Sequence, residues 1–228
     1  TKFSADLLDA DKTYEAELKL GVVTDSGDAE GTVIATAAVN VLESDIFPVL
    51  QALTGNILQV PPMHSALKRD GRPLYELARQ GIVVEREARP VTIHSIELLE
   101  FAGDCLRISV SCSKGTYIRV LAADIGAALG CGAHLTALRR TRVGDLVLDG
   151  ALTLAQIDAI EEGARTACLR PVDALLQSLP RLDVAGEAEQ RFRHGNPVDL
   201  PTGFAGKIRV YADDVLIGVG EPGSGGRL

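Results

Sequence analysis

The sequence predicts an α+β protein with a small β-rich appendage at its C-terminal end. Stretches with the period-two pattern of half-exposed strands are mixed with stretches at helical spacing, without the regular βαβ alternation of a doubly wound sheet. From about residue 181 onward the chain contains short strand-like runs, one short helix and turns rich in Gly and Pro. We therefore expect two domains, which cover residues 1–180 and 181–228.

Alternation of apolar and polar side chains marks the strands. Tyr14–Leu20 shows this pattern most clearly and leads into an acidic, turn-rich segment, Thr24–Gly31. We interpret that segment as a solvated hairpin loop rather than a calcium loop, because it lacks the spacing of calcium ligands and the terminal Glu. The other predicted strands are Thr32–Ala38, Val91–Leu99, Leu106–Ser111, Lys207–Tyr211 and Val215–Val219.

Helices are predicted from apolar spacing and from residues that start or stop a helix. Gly55 and Gly130 each follow a helical stretch as a C-terminal stop. Thr153 and Gln156 have the form of a capping box, which opens a helix ending near Gly163. The other predicted helices are Ser44–Leu53, Leu74–Gln80, Ile118–Leu129 and two short ones, His134–Arg139 and Glu187–His194.

Charge and cysteine content narrow the class of function. The net charge of −8, from 23 basic and 31 acidic residues, by itself argues against a nucleic-acid partner. The basic residues are clustered, however, in Lys68–Arg89 and Lys114–Arg142, so an acidic protein can still present a basic face. The four cysteines lack the spacing of a metal site, which favours free thiols and a cytoplasmic protein. No apolar run is long enough to cross a membrane.

The segment Ser111–Arg119 is the most distinctive one. It joins a strand to a helix, so backbone N–H groups from Gly115 onward can face an anion at the start of that helix. Tyr117 and Arg119 then fall in the first helical turn. On their own, they are better explained as a half-buried core aromatic and a solvated helix residue.

A second segment, Gly132–Gly144, is rich in arginine. Arg139, Arg140 and Arg142 suit bidentate contact with phosphate. The plainer alternative is a basic helix end that interacts with the helix dipole. His134, taken alone, is better interpreted as a structural residue.

Two further segments could contact a nucleic acid. Gln59–Lys68 and Gly71–Arg79 combine a Pro-rich entry, a basic turn and a short amphipathic helix, as in a protruding element that grips a groove. Tyr14 stands at the start of a strand, where an aromatic ring can stack on a base for about 1–3 kcal/mol, or pack into the core instead.

Together and in this order, these segments resemble the B-type tRNA pseudouridine synthases. The resemblance covers residues 1 to about 182 and continues weakly into the tail, at Gly195–Val198 and Ile217-Gly218. It is carried by five segments: Ala5–Tyr14 with its Asp-x-Asp-Lys-x-Tyr, Thr24–Gly31, Pro61–Arg79, Cys112–Arg119 and Gly132–Gly144.

The resemblance implies a mixed, mostly antiparallel, bent sheet flanked by helices, with a small PUA-like RNA-binding domain at the C-terminal end. Residues 59–89 would form an insertion that grips the T arm of tRNA. The implied reaction isomerises the uridine at tRNA position 55 and requires no cofactor or metal. The implied RNA-binding residues are Lys68, Arg72, Arg79, Lys114, Arg139, Arg140 and Arg142.

The resemblance also implies the roles of four site residues. Tyr14 should stack on the target uracil, while Tyr117 and Leu138 form the pocket and its apolar wall. Arg119 should pair with the catalytic aspartate. An arginine in that position would keep a carboxylate ionised and oriented.

The family's catalytic aspartate lies in a Gly-x-Leu-Asp-Pro motif upstream of the segment that matches Thr1, and no such motif occurs in these 228 residues. The Leu182-Asp183 pair is in the tail and does not take its place. We therefore expect a fragment that does not turn over alone, and that exists as a monomer or pairs with the missing N-terminal fragment.

Two alternatives stay open at this point. One is a non-catalytic tRNA-binding or tRNA-folding protein on the same scaffold. The other is an enzyme of this fold that acts on another nucleic acid, such as a guide-RNA-dependent relative, which the compact length and the short tail disfavour.

Overall fold

The computed structural model describes residues 7–69, 71–201, 203–223 and 226–228, which form two compact units. The larger unit comprises Asp9–Val143 and Val147–Asp149, and the smaller one contains Gly144–Leu146 and Gly150–Leu228. Ala5 and Asp6, at the start of the first family-like segment, lie outside the described residues. The domain boundary expected near residue 180 stays a prediction.

A six-stranded sheet forms the centre of the larger unit, in the order β10-β9-β1-β8-β7-β4. The four described pairings from β9 to β4 are all antiparallel. Two short hairpins, β2–β3 and β5–β6, stand beside it. The strands are β1 Lys12–Leu20, β2 Val22–Thr24, β3 Val33–Thr36, β4 Gly55–Gln59, β5 Lys68–Arg69, β6 Arg72–Pro73, β7 Arg89–Ala102, β8 Cys105–Cys112, β9 Ala133–Val143 and β10 Leu146–Val147.

The core lies on one face of this sheet. Ala16, Leu18 and Leu20 of β1 are buried, while the intervening Glu17 and Lys19 are not, as expected for a strand with one covered face. The helices of the unit are α1 Glu43–Ala52, α2 Leu74–Arg79 and α3 Ile118–Ala128. α1 and α3 contribute their buried side chains to the same hydrophobic cluster as β1 and β8.

The predicted helix over His134–Arg139 is wrong, because these residues belong to strand β9. Leu135 and Leu138 are three residues apart, which fits a helix as well as an irregular strand. The backbone of Gly130 and Gly132 has positive φ, 78° and 74°, so α3 ends there and the chain reverses. The returning segment then pairs along the whole of β1, and this long-range pairing overrides the local pattern.

The smaller unit is built on a three-stranded sheet. Its strands are β11 Arg181–Asp183, β12 Ile208–Ala212 and β13 Val215–Gly220; β11 is parallel to β12, and β13 is antiparallel to it. Its helices are α4 Leu154–Asp158 and α5 Gly186–Arg193. Thr153 and Gln156 form the predicted capping box, but α4 ends at Asp158 rather than near Gly163, and two 3-10 turns follow.

The predicted α+β class and the mostly antiparallel sheet are confirmed. All four cysteines are free thiols. Within the described ranges, no helix has the length and apolar character that a membrane span requires.

Candidate active site

The site is built around the start of α3, and the preceding turn is tied to a neighbouring strand. Ser113 exchanges two hydrogen bonds with Thr92 of β7: its N–H donates to the Thr92 carbonyl at 2.8 Å, and its Oγ accepts from the Thr92 N–H at 2.9 Å. The chain then turns through Gly115, whose φ is +82°. Tyr117 is the N-cap residue, and Arg119 is the second residue of the helix.

Arg119 is held by three acceptors from two other segments. Its Nη1 donates to the Asp28 carboxylate at 2.8 Å and to the Ser26 carbonyl at 3.4 Å, and its Nη2 donates to the His64 carbonyl at 2.6 Å. The Arg119 and Asp28 side chains are only 22% and 25% exposed. The Nε–H has no partner among the described residues, so this guanidinium can still donate to a further anion.

Asp28 is a site residue that the sequence interpretation missed, because its loop was expected to be solvated. Burial alone would raise the pKa of Asp28, but hydrogen bonds from Ser26 and from the Glu30 N–H, together with the Arg119 charge, lower it below its ordinary value. The carboxylate is therefore ionised at neutral pH and forms a charged pair with Arg119.

The predicted hairpin loop between β2 and β3 is only partly solvated: Asp25, Ala29 and Glu30 are exposed, whereas Ser26, Gly27 and Asp28 are partly buried, which corrects that interpretation in part. Thr24 is buried, and the Gly27 carbonyl accepts a hydrogen bond from the Leu135 N–H of β9 at 3.0 Å. A Cβ built on Gly27 would lie 3.6 Å from the Arg119 carbonyl, and φ at Gly27 is +74°. The Ser26-Gly27-Asp28 sequence is thus a tight turn that brings a carboxylate to the helix start.

Tyr14 and Leu138 lie on the core face of the sheet, on neighbouring strands. Tyr14 is directly opposite Arg140, and Leu138 is opposite Ala16. Directly opposite residues share a face, so the register places Tyr14, Leu138 and Arg140 together. Tyr14 packs against the same hydrophobic cluster as Ile118 of α3, whereas Leu138 remains 48% exposed.

The surroundings of the Tyr14 phenol shift its pKa. Burial raises the pKa of Tyr14, and a hydrogen bond and the positive charge from Arg140 oppose that shift only in part. Tyr14 is therefore a neutral aromatic ring at physiological pH. One face of the sheet thus offers an aromatic ring, an apolar side chain and a guanidinium.

The seven basic residues predicted to bind RNA are all exposed, but they are not on one surface. A register shift between Thr13 and Tyr14 puts Arg142 opposite Thr13. Arg142 therefore shares the outer face with Arg139, which lies 3.9 Å from Glu15, whereas Arg140 is on the core face.

Four of these residues lie outside β9. Lys114 pairs with Asp9 at 2.6 Å. The others belong to the predicted insertion: Lys68 and Arg72 form part of its β5–β6 hairpin, and Arg79 ends α2. The guanidinium of Arg79 stacks over Tyr75 at 5.5 Å.

Comparisons with known families define the class of this fold and site. The model described as TruB family pseudouridylate synthase (N terminal domain) matches residues 1–118. The tRNA pseudouridylate synthase B C-terminal domain matches residues 119–177, and a C-terminal domain of pseudouridine synthase II TruB matches residues 180–228. The chain belongs to the TruB family of pseudouridine synthases.

Curated relatives within this family are more specific. The chain is 67% identical to tRNA pseudouridine synthase B of Dechloromonas aromatica over 228 residues, which is all of this chain and 76% of that protein. It is 55% identical to tRNA pseudouridine synthase B of Aromatoleum aromaticum, of which it covers 74%.

Solved structures share the fold. A chain of a Cbf5-Nop10-Gar1 complex superimposes with a TM-score of 0.71 at 28% identity, over 97% of this chain and 62% of that chain. An H/ACA RNP bound to a substrate RNA containing 2'-deoxyuridine matches with a TM-score of 0.70 at 25% identity, with the same coverage. The pseudouridine synthase fold that the resemblance implied is thereby confirmed.

Proposed function

We propose that these residues form the base pocket and the RNA-binding surfaces of a cytoplasmic enzyme that isomerises uridine 55, in the T arm of tRNA, to pseudouridine. The observation that carries the proposal is the half-buried Arg119–Asp28 pair at the start of α3. Tyr14 and the helix that carries Arg119 pack against one hydrophobic cluster.

The proposed chemistry needs a base that has left its helical stack. Isomerisation breaks the C1′–N1 bond, rotates the uracil and forms a C1′–C5 bond; C5 loses its hydrogen as a proton and N1 gains a proton, so the product is an isomer of the substrate. The Tyr14 ring provides a surface on which a flipped uracil can stack. Leu138 supplies an exposed apolar side chain that an uracil would cover.

Arg119 is suited to orient the nucleophilic carboxylate of this reaction. Asp28 and the His64 carbonyl fix the plane of its guanidinium, and the Nε–H remains available for a second carboxylate. Such a pair favours the ionised form of that carboxylate. Because no Gly-x-Leu-Asp-Pro motif occurs in the 228 residues, we propose that they bind the substrate but do not turn it over.

The test compares the 228-residue chain with a restored enzyme. In the restored enzyme, the part of the Dechloromonas aromatica relative that precedes the residue matching Thr1 is joined to this chain. Both proteins are mixed with a T-arm stem-loop that carries tritium at C5 of the target uridine, and release of tritium is measured. A stem-loop with the tritiated uridine at another position is the control.

We expect turnover by the restored enzyme, and binding without turnover by the 228-residue chain. Tritium release by the chain alone would refute the claim that it lacks the nucleophile. If the restored enzyme binds the stem-loop and releases no tritium, the scaffold is a tRNA-binding protein and the proposed activity is wrong.

A further inference from the structure

One buried side chain contacts the site without lining it. Gln59 is the last residue of β4, and only 2% of it is exposed. Its Oε1 accepts a hydrogen bond from the Tyr117 N–H at 3.0 Å, and its Nε2 donates to the Tyr117 carbonyl at 3.4 Å. One side-chain amide therefore contacts both backbone polar groups of the residue that caps α3. The Tyr117 carbonyl also accepts from the Val120 and Leu121 N–H groups at 3.1 Å, whereas Gln59 is the partner of the Tyr117 N–H.

The Gln59 amide forms the pair of hydrogen bonds with the Tyr117 backbone that a residue of a neighbouring strand would otherwise form. Tyr117 has an extended backbone, with φ −101° and ψ 108°, and it is the last non-helical residue before α3. A free cap residue could rotate about these two angles, and such a rotation would swing the Tyr117 ring. Gln59 fixes the peptide group that precedes Tyr117, and the first turn of α3 fixes the one that follows it. Together they set the direction of the Tyr117 side chain.

The same contact connects the insertion to the site. Gln59 begins the predicted insertion, residues 59–89, and His64 a few residues later accepts the hydrogen bond from Arg119. Just after the other end of the insertion, Thr92 of β7 is tied to Ser113. Both ends of the insertion are thus attached to the segment that carries Tyr117 and Arg119.

We propose that Gln59 is a positioning residue, which acts on the reaction through Tyr117 by fixing the Tyr117 backbone with its side-chain amide. The proposal rests on the proposed function, since it assigns Tyr117 to the uracil pocket. Gln59 itself is buried and belongs to β4, so its effect should appear in the chemical step rather than in RNA affinity.

The first experiment tests the contact and needs no catalysis. Hydrogen exchange of the Tyr117 amide is measured by NMR in the 228-residue chain and in its Gln59→Met variant. Methionine fills the same space without an amide, so the Tyr117 N–H loses its acceptor and should exchange faster. An unchanged exchange rate would overturn the proposal. Where Gln59→Met does not fold, Gln59→Leu, which also removes both the acceptor and the donor, takes its place in all tests.

The second experiment is kinetic and uses the restored enzyme. Gln59→Met should lower kcat about 10- to 100-fold, the scale expected for a misplaced pocket residue, with little change in KM. In a Tyr117→Ala background the same substitution should have no further effect on kcat, because Gln59 acts through that ring. An equal loss in both backgrounds, or a wild-type kcat, would overturn the proposal.

The control variant is Leu106→Val, which removes one methylene from the core at the β7–β8 hairpin. It should lower the melting temperature without changing kcat below the unfolding transition. If the unmutated restored enzyme releases no tritium, the proposed function fails. If it is active and Gln59→Met is equally active, only the role of Gln59 fails.

Discussion

At the scale of single residues, the site depends on charges and rings that are only partly exposed. Arg119 and Asp28 illustrate why this matters, because a pair with about a fifth to a quarter of its surface exposed is less screened by water and salt than a surface pair. Each partner also makes further hydrogen bonds, so removing either one changes the geometry of the other.

Arg119→Ala should abolish turnover by the restored enzyme while leaving RNA binding nearly intact. Loss of a preorganised charged donor costs roughly 10²–10³-fold in kcat or more, and we expect at least that loss from single-turnover tritium release. Arg107→Ala, which breaks an exposed pair with Glu100 away from the site, is the control and should remain close to wild type. A wild-type rate for Arg119→Ala would show that Arg119 does not take part in the site.

Asp28→Asn should make stability less dependent on pH. The pKa of Asp28 is lower in the folded than in the unfolded state, so its ionised form stabilises the fold at neutral pH. That contribution is present above the unfolded pKa and is lost as pH falls through the folded pKa. We expect Asp28→Asn to lower the free energy of unfolding by about 1 kcal/mol near pH 7, and by less in acid.

Urea titrations at neutral and acid pH measure this difference. Asp104→Asn, which breaks the exposed Asp104–Lys19 pair, is the control and should change stability little at either pH. A penalty for Asp28→Asn that grows on acidification would contradict the assigned direction of the Asp28 pKa.

Tyr14→Ala should impair catalysis more than affinity, because stacking acts on a base that has already been flipped out. A loss of about 1–3 kcal/mol of stacking should appear mainly in kcat, measured under saturating RNA. Tyr14→Phe keeps the ring and removes the hydroxyl near Arg140, so it should retain most of the activity. An unchanged kcat for Tyr14→Ala would show that Tyr14 has only a structural role.

At the scale of elements, α3 and β9 are packed so closely at Gly126 that a larger residue cannot be accommodated there. A Cβ on Gly126 would lie 2.2 Å from the Ala133 N and 2.3 Å from the Gly132 C, both of which are backbone atoms that cannot rotate away. The close approach brings α3 against the start of β9, the strand that carries Leu138. The position of Leu138, the proposed pocket wall, therefore depends on a glycine.

Gly126→Ala should destabilise the larger unit, although Ala is the better helix former by about 1 kcal/mol. Overpacking costs about 1–3 kcal/mol, and a clash with backbone should lie at the upper end. The control is Gly163→Ala, where a new Cβ meets nothing within 4 Å. Calorimetry that shows Gly126→Ala as stable as wild type would contradict the close packing.

Local pattern predicted most elements at this scale. Capping and stop residues located α1, α2 and α3 within about two residues, which is the usual spread of helix ends. β9 could not be predicted in this way. Its partner β1 is more than a hundred residues away in sequence, and the pairing with β1 decided its conformation.

At the scale of the whole molecule, the proposed function requires an acidic protein to bind an acidic polymer through a local surface. The exposed basic residues of the insertion, Lys68, Arg72 and Arg79, are candidates for phosphate contacts. Each contact releases counterions, so affinity should fall with salt despite the net charge of −8.

Replacing Lys68, Arg72 and Arg79 together by Gln should weaken T-arm binding and flatten its dependence on salt by about one unit of log–log slope per contact. Fluorescence anisotropy at several salt concentrations measures both quantities in the 228-residue chain. The matched control, Lys19→Gln with Arg107→Gln, removes exposed charges from the other face of the sheet and should leave the slope unchanged. An unchanged slope for the triple variant would exclude the insertion from phosphate contact.

The sequence by itself determined the α+β class, the helix ends at glycines and the family, because these follow from local periodicity and from ordered motifs. Only the tertiary structure decided that Asp28 meets Arg119, that Gln59 holds Tyr117 and that Arg139 and Arg140 face opposite ways. Each of these depends on contacts between distant segments or on a shifted strand register. Such contacts produce no periodic pattern in the sequence, because long-range pairing is set by the packing of the core as a whole.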